Sequence, residues 1–453
     1  MAQSQKVDAL VIGFGKGGKT LAAYMGRQGM KVALVEQSEK MYGGTCINIA
    51  CIPTKSLVVS AERKVPYTNA IATKDELTAF LRKKNFSMVN DTPNAHVYTG
   101  KASFVSAQEV KVVLHDTKEE ILFTPAKIFI NTGTTPNVPS IKGLERSRIV
   151  YTSTSLQDRK ELPEKLVIIG AGFIGLEYAS MYAQFGSAVT VLNNGPVFLP
   201  GEDDDIREAV ITVLENKGIR ILSGMMTEEI ITTGDVGIST VICRNAAGNT
   251  VKLDANAILL ATGRVPATDG LNLAAAGIET DARGFIKTDA FLRTNVSHIW
   301  AVGDINGGPQ FTYISLDDFR IIKDQLSGSS QRSVADRKYV SSTTFITPPL
   351  SHVGLREKEA REKGLAVKVA RLPAAAIPRA RILQETEGLL KAVVAADTGR
   401  ILGCTLFCAA SVEMINLVQL AMQADVPYTT LRDAIYTHPS MTEAFNDLFG
   451  AIK

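Results

Sequence analysis

The sequence predicts an α/β chain in which two strand, glycine-turn and helix units are followed by a closing α+β domain. Three observations point there. Val7-Asp8-Ala9-Leu10-Val11-Ile12, then Gly13-Phe14-Gly15-Lys16-Gly17-Gly18, then Lys31-Val32-Ala33-Leu34-Val35-Glu36 read as strand, turn and, after an intervening helix, strand again. The same order returns at Lys165-Leu166-Val167-Ile168-Ile169 and Gly170-Ala171-Gly172-Phe173-Ile174-Gly175. From residue 338 onward the pattern changes to short strands at 339–345, 366–371, 389–395 and 401–407, with helical periodicity at 411–424 and 429–435.

Composition bounds the function. The chain has 453 residues, 45% of them hydrophobic, which is enough for about three domains with packed cores. A net charge of +3, scattered along the chain, gives neither a nucleic-acid stripe nor a membrane-binding patch. No run approaches the roughly 20 apolar residues of a membrane span, and Val7–Ile12 lacks the flanks of a signal peptide. Five cysteines, few and odd in number, argue against a secreted disulfide framework and for a cytoplasmic protein. Cys404 and Cys408 stand in an apolar run without His or acidic neighbours and read as packing residues, so no metal site is expected.

Each glycine turn has its mechanism. Gly13 permits the tight turn, Gly15 lets backbone approach a pyrophosphate, and Gly18 lets helix and strand pack closely, with phosphates at the helix N-terminus. Glu36 ends the second strand, where a carboxylate can accept both ribose hydroxyls. Gly170, Gly172 and Gly175 repeat the pattern. Each copy is followed by an apolar strand closing in Thr-Gly, at Thr132-Gly133 and Thr262-Gly263. Two Rossmann-like dinucleotide sites are therefore expected. In the second copy the strand ends at Asn193-Asn194, without the acid that favours NADH; arginines that would clamp a 2′-phosphate are missing as well, the next being Arg207. NADH is slightly favoured over NADPH.

Between the two copies lies Gly43-Gly44-Thr45-Cys46-Ile47-Asn48-Ile49-Ala50-Cys51-Ile52-Pro53-Thr54-Lys55. In a regular helix, residues five apart lie about 7.5 Å apart along the axis, whereas a disulfide usually needs Cα atoms within roughly 7 Å. If Cys46 and Cys51 bond, the helix must start distorted, and Pro53 suits a first turn. Two thiols buried in an apolar helix are the plain alternative.

The Gly-Gly-Thr lead-in, the Cys46 and Cys51 spacing, the Pro-Thr-Lys exit and the upstream fingerprint together resemble the redox segment of the class I pyridine nucleotide-disulfide reductases. Lipoamide dehydrogenase, glutathione reductase and mercuric reductase belong to that family. The resemblance implies an FAD-binding domain at 1–150 and 265–335, an NAD(P)-binding domain at 151–264 and a dimerisation domain at 338–453. It places Gly13, Gly15, Gly18, Glu36, Gly44, Thr45, Lys55, Thr132, Gly133 and Asp304 about the FAD. Gly170, Gly172, Gly175, Glu177, Asn193 and Gly263 fall about the NAD(P)H. Asp304, in Ala301-Val302-Gly303-Asp304, matches the acid that binds the ribityl chain. Cys51 matches the flavin-side sulfur and Cys46 the outer one. Lys55 matches the lysine beside the flavin, with Glu177 the acid that pairs with it. Thr437-His438-Pro439 matches the family's terminal His-Pro motif, in which His438 would be the acid-base catalyst, oriented by Glu443 and acting across a homodimer.

Segments away from these motifs narrow the resemblance. Met41–Ile49, Gln310–Asp318, Phe345–Ser351 and Ala376–Arg381 are similar to the reactive-chlorine-resistance reductases. That implies a small thiol-reactive oxidant, hypothiocyanous acid first, as substrate, with copper(II) also attributed to the type. A mercuric reductase is a rival, disfavoured because the sequence shows no cysteine pair near Phe445–Lys453. A lipoamide dehydrogenase or glutathione reductase is disfavoured by Asn193 and the Tyr313 region. A flavin-bearing redox sensor would have no need of both cysteines and His438.

Overall fold

A computed structural model of the chain describes residues 3–232 and 237–453. They fall into two compact units: Met1–Ser56, Ile71–Asn137 and Gly263–Arg337 in the first, Leu57–Ala70, Val138–Thr262 and Lys338–Lys453 in the second.

In the first unit β1 (Gln3–Ile12) runs parallel between β2 (Val32–Glu36) and β5 (Glu120–Ile130). β3 (Ala95–Phe104) continues the parallel sheet beside β2, then turns antiparallel with β4 (Val110–Leu114), which returns to the start of β5. Ile299–Ala301 adds a parallel strand on the other side of β5. The sequence signals only Val7–Ile12 for β1; pairing with β5 carries the strand back to Gln3. Every residue of β2 is buried, as expected of a strand covered on both faces. Register then places the site. Ile12 lies opposite both Val35 and Ile130, so the glycine turn, Glu36 and Asn131 all emerge at the carboxyl edge of the sheet. That edge is where open α/β sheets bind ligands.

Helix α1 (Lys16–Arg27) follows the turn, with extended Gly15 as its N-cap and Leu21, Ala22 and Met25 buried. The redox segment forms α2 (Thr45–Asn48) and α3 (Cys51–Glu62), with a break at Ile49 (φ −131°, ψ −46°). The Ala50 amide reaches back to Thr45 O at 2.8 Å, a five-residue span that a regular helix does not make. α4 (Tyr67–Asn90) comes next. The charged segment 327–337, which closes the first unit, is held to it by arginine: Arg332 and Arg337 both pair with Asp317, and Arg337 also with Asp318.

The second unit holds a five-stranded parallel sheet in the order Arg220–Ser223, Ala188–Asn193, Lys165–Ile169, Ala257–Leu260, Val150–Thr152. Beside it are a three-stranded antiparallel sheet and a five-stranded antiparallel sheet carrying the helices Ser411–Gln423 and Ala444–Gly450. Residues 151–262 and 338–453 both lie in this unit. Polar contacts join them: the Phe345 amide donates to Glu177 Oε1 at 3.0 Å, and Arg356 grips Glu202 through two nitrogens. Leu57–Ala70 lies in this unit as well, where Tyr67 packs on Tyr182 and Phe185, with ring centroids 5.9 and 5.3 Å away. No helix of the described residues is long and apolar enough to cross a membrane.

Candidate active site

At the carboxyl edge of the first unit the glycines are needed for space. A Cβ on Gly13 (φ +103°) would lie 2.3 Å from Asn131 O, and one on Gly44 (φ +76°) 2.7 Å from Gly15 Cα. Asn131, unremarked in the sequence, locks the cradle: its Oδ1 accepts the Gly18 amide at 2.9 Å and its Nδ2 donates to Val302 O at 2.5 Å. Glu36 is buried and accepts the Phe14 amide at 3.0 Å and the Ser38 amide at 3.2 Å. Burial outweighs those bonds and pushes its carboxyl up to about 7. Asp304 is likewise raised by burial, against the pull of Arg264, and accepts the Thr134 hydroxyl at 3.3 Å. Thr132 Oγ1 is buried with no hydrogen-bond partner among the described residues.

The two cysteines come together in the same unit as free thiols, both half-buried. Cys46 donates to Cys51, which raises Cys46 well above the ordinary thiol range and draws Cys51 down to about 6. Burial opposes ionisation of Cys51, but the Thr312 hydroxyl, 3.3 Å from its sulfur, and Lys55 favour it. Thr45 opens α2, where its carbonyl accepts the Ile49 and Ala50 amides. The helix Thr312–Leu326 brings Thr312 in, while Tyr313 stacks on Phe311 with centroids 5.0 Å apart. Of the two, Cys51 is the sulfur drawn toward ionisation, chiefly by its hydrogen bond with Cys46, with Thr312 and Lys55 adding to it.

In the second unit the repeated turn has the same crowding at Gly170 and Gly175, where a Cβ would lie 2.3 Å from Ala261 O and 2.1 Å from Gly170 O. At Gly172, by contrast, a Cβ meets nothing within 4 Å, and the same holds at Gly133 and Gly263, both with positive φ. The open space at Gly172 is where a ligand backbone would approach. Asn193 Nδ2 donates to Gly195 O at 2.9 Å and Val197 O at 3.0 Å, so this amide holds its own loop and leaves Oδ1 as the acceptor it presents. Glu177 is buried on the helix Phe173–Phe185.

Elsewhere in that unit His438 Nδ1 bonds Glu443 Oε2 at 2.7 Å, with the imidazole largely exposed. A carboxylate only accepts, so Nδ1 carries the hydrogen and Nε2 is left to exchange a proton. Glu443 is placed by the helix it caps, Ala444–Gly450. Phe445, Leu448 and Phe449 of that helix are fully buried, each worth about 1.5–3 kcal/mol. Among the described residues no group of three or more His, Cys, Asp or Glu is placed to hold a metal ion.

A thiol pair beside one dinucleotide-type cradle, a second such cradle, and a histidine held by a carboxylate define a nucleotide-dependent disulfide oxidoreductase. The comparisons agree. The chain belongs to the pyridine nucleotide-disulphide oxidoreductase family, whose model matches residues 7–318 and whose dimerisation-domain model matches residues 340–449. It is 48% identical over 448 residues to the probable pyridine nucleotide-disulfide oxidoreductase RclA of Escherichia coli, covering 99% of this chain and 100% of that one. It is 32% identical over 453 residues to a mercuric reductase of Lysinibacillus sphaericus, covering 96% of this chain and 81% of that one. A solved structure, the copper(II) complex of the HOCl-induced flavoprotein disulfide reductase RclA from Escherichia coli, superposes with a TM-score of 0.95 at 47% identity. It covers 99% of this chain and 100% of that chain.

The family implies FAD and NAD(P)H. The first cradle fits FAD on its own evidence. Buried carboxyls at Glu36 and Asp304 want hydroxyl donors, the Thr132 hydroxyl wants a partner, and the glycine turn admits a pyrophosphate.

Proposed function

We propose that the chain takes two electrons from a reduced nicotinamide dinucleotide and delivers them, through Cys46 and Cys51, to a small thiol-reactive oxidant, hypothiocyanous acid first among them. The observation that supports this most is the pair of free, half-buried thiols in the redox segment, with the Thr312 hydroxyl 3.3 Å from the Cys51 sulfur. In this reading Glu36 holds the adenosine ribose of FAD, Asp304 its ribityl chain, and the turn Gly13, Gly15 and Gly18 its pyrophosphate. Bound there, FAD supplies the two-electron link between the nicotinamide and the sulfurs. Gly170, Gly172 and Gly175 hold the dinucleotide phosphates, and Asn193 Oδ1 accepts a ribose hydroxyl, which favours NADH over a 2′-phosphate.

The sulfur chemistry balances. Cys46 gives up its proton to His438 Nε2 of the partner subunit, and its thiolate attacks the electrophilic sulfur of hypothiocyanous acid. An S–S bond forms, and hydroxide leaves as water with the proton that His438 returns. The Cys51 thiolate then attacks the Cys46 sulfur, closing the disulfide and releasing thiocyanate. The Cys46 thiol is held above the ordinary thiol range, so a base is required, and the His438 imidazole bonded to Glu443 can serve as one. The dimerisation-domain match supports the homodimer this needs. The relative's description as HOCl-induced supports a place in oxidant defence. A second reading, copper(II) reduction, rests on that relative's copper complex.

Steady-state rates with hypothiocyanous acid, oxidised glutathione, lipoamide and copper(II), measured side by side with NADH and with NADPH, test the assignment. Hypothiocyanous acid should exceed the others. A clear winner among the rest would retire it.

A further inference from the structure

Lys19 belongs to α1, between buried Gly18 and buried Leu21. A lysine in such company usually lays its stem along the apolar surface and keeps its ammonium in water. Lys19 is instead 4% exposed. Its Nζ donates to the Gly43 carbonyl at 3.2 Å, three residues ahead of Cys46, and to Asn85 Oδ1 of α4. Asn85 is itself fixed, its Nδ2 donating to Leu81 O at 2.7 Å. One turn away on α4, Arg82 Nε donates to Asn48 Oδ1 at 2.8 Å, and Asn48 Nδ2 donates to Tyr42 O and Gly44 O at 3.0 and 2.9 Å. Two cations therefore grip the loop that carries Cys46.

Among the described residues no carboxylate ion-pairs with Lys19. Burial, and then neighbouring Lys16, pull its ammonium down to about 8; the group that pulls it up is Cys46. The effect is mutual, since Lys19 favours the Cys46 thiolate. A buried cation without a counter-charge is costly. Its placement makes sense if a negative charge appears beside it during turnover. We propose that Lys19 is a positioning residue of the redox loop, pinning the Gly43 carbonyl and supplying the positive charge that stabilises Cys46 as a thiolate when its proton leaves. This rests on the reading of Cys46 as the sulfur that meets the oxidant.

The test follows alkylation of Cys46 by iodoacetamide against pH in flavin-loaded Cys51→Ser protein, with the modified residue located by peptide mass. Lys19→Met, nearly isosteric and neutral, should slow alkylation at neutral pH by roughly three- to tenfold and move the profile upward. Lys19→Arg should keep the parent profile. Should Lys19→Met fail to fold, Asn85→Ala, which loosens the ammonium without removing it, carries the test with a smaller upward move. A Lys19→Met or Asn85→Ala profile coinciding with the parent overturns the proposal, as does a Lys19→Arg profile displaced as far as that of Lys19→Met. Flavin loss in Lys19→Met with Cys46 unchanged also overturns it, because the ammonium would then serve the cofactor phosphates. Alkylation needs no oxidant, so a wrong substrate assignment leaves this result untouched.

Discussion

Replacing Thr312 with Val removes one hydroxyl and keeps the side-chain shape, which isolates a single contribution to the sulfur pair. The Thr312 Oγ1 lies 3.3 Å from Cys51 Sγ and favours the thiolate. A hydrogen bond to an ionised group is worth about 1.5–3 kcal/mol. Taking the lower end for a diffuse sulfur acceptor gives about one pKa unit. The sign is fixed: loss of a donor to the anion disfavours the anion, so Cys51 titrates higher. From about 6 it should move to about 7, which lowers the thiolate fraction at neutral pH from roughly nine-tenths to roughly half. The assay is a pH titration of the long-wavelength absorbance of the two-electron-reduced protein, the band expected if the Cys51 thiolate lies against the flavin as proposed. A midpoint that stays with the parent would refute the assignment of Thr312 as the donor.

Other predictions address the cradles, the base and the packing. Gly13→Ala places a Cβ 2.3 Å from Asn131 O at positive φ, and the protein should purify without flavin colour. Gly172→Ala meets no protein atom within 4 Å, so its melting temperature and flavin content should match the parent while the KM for NADH rises at least about tenfold. An unchanged KM would remove the second cradle from the nucleotide site. Glu443→Gln takes the carboxylate from His438 Nδ1 and should lower turnover with oxidant by about tenfold or more, leaving anaerobic reduction by NADH unaffected. Lys391 is 2% exposed and pairs with Asp203, Asp205 and Glu357 at 2.8–2.9 Å. Burial alone would raise these carboxyls, but Lys391 together with Arg371, Arg361 and nearby backbone amides outweighs it and holds all three below their ordinary range. Lys391→Met should cost about 3–5 kcal/mol in urea unfolding near neutral pH. Because depressed carboxyls lose their stabilising charge on protonation, the deficit should narrow as the pH falls below about 4.

Much of this was legible in the sequence where a rule of backbone geometry is local. The strands 389–395 and 401–407 appear as read, because their apolar runs are buried. The strand read at 339–345 shrinks to Ser342–Thr344, since Tyr339 adopts a positive φ of 53° that no strand accommodates. The helix read at 429–435 is Tyr428–Arg432, and Ile435 beyond it is fully exposed. Cys404 and Cys408 are buried, and burial raises both thiols, as packing residues should be. Lys19, Asn131 and Thr312 were not legible as site residues. Each acts through a partner distant in sequence: Asn85 for Lys19, Gly18 and Val302 for Asn131, Cys51 for Thr312. A lysine within the buried face of α1 was the one available signal. The arginine grip on Asp317 and Asp318 was hidden for the same reason.

The central claim is that electrons from the dinucleotide reside on one particular sulfur pair before reaching the oxidant. Oxidised, flavin-loaded protein should be reduced anaerobically with NADH, trapped with a mass-labelled alkylating reagent before and after addition of hypothiocyanous acid, and mapped by peptide mass. The account predicts label on Cys46 and Cys51 after NADH, with Cys243, Cys404 and Cys408 unchanged, and loss of both labels after the oxidant. Oxidant consumption that leaves Cys46 and Cys51 labelled, or reduction that never exposes them, would contradict it.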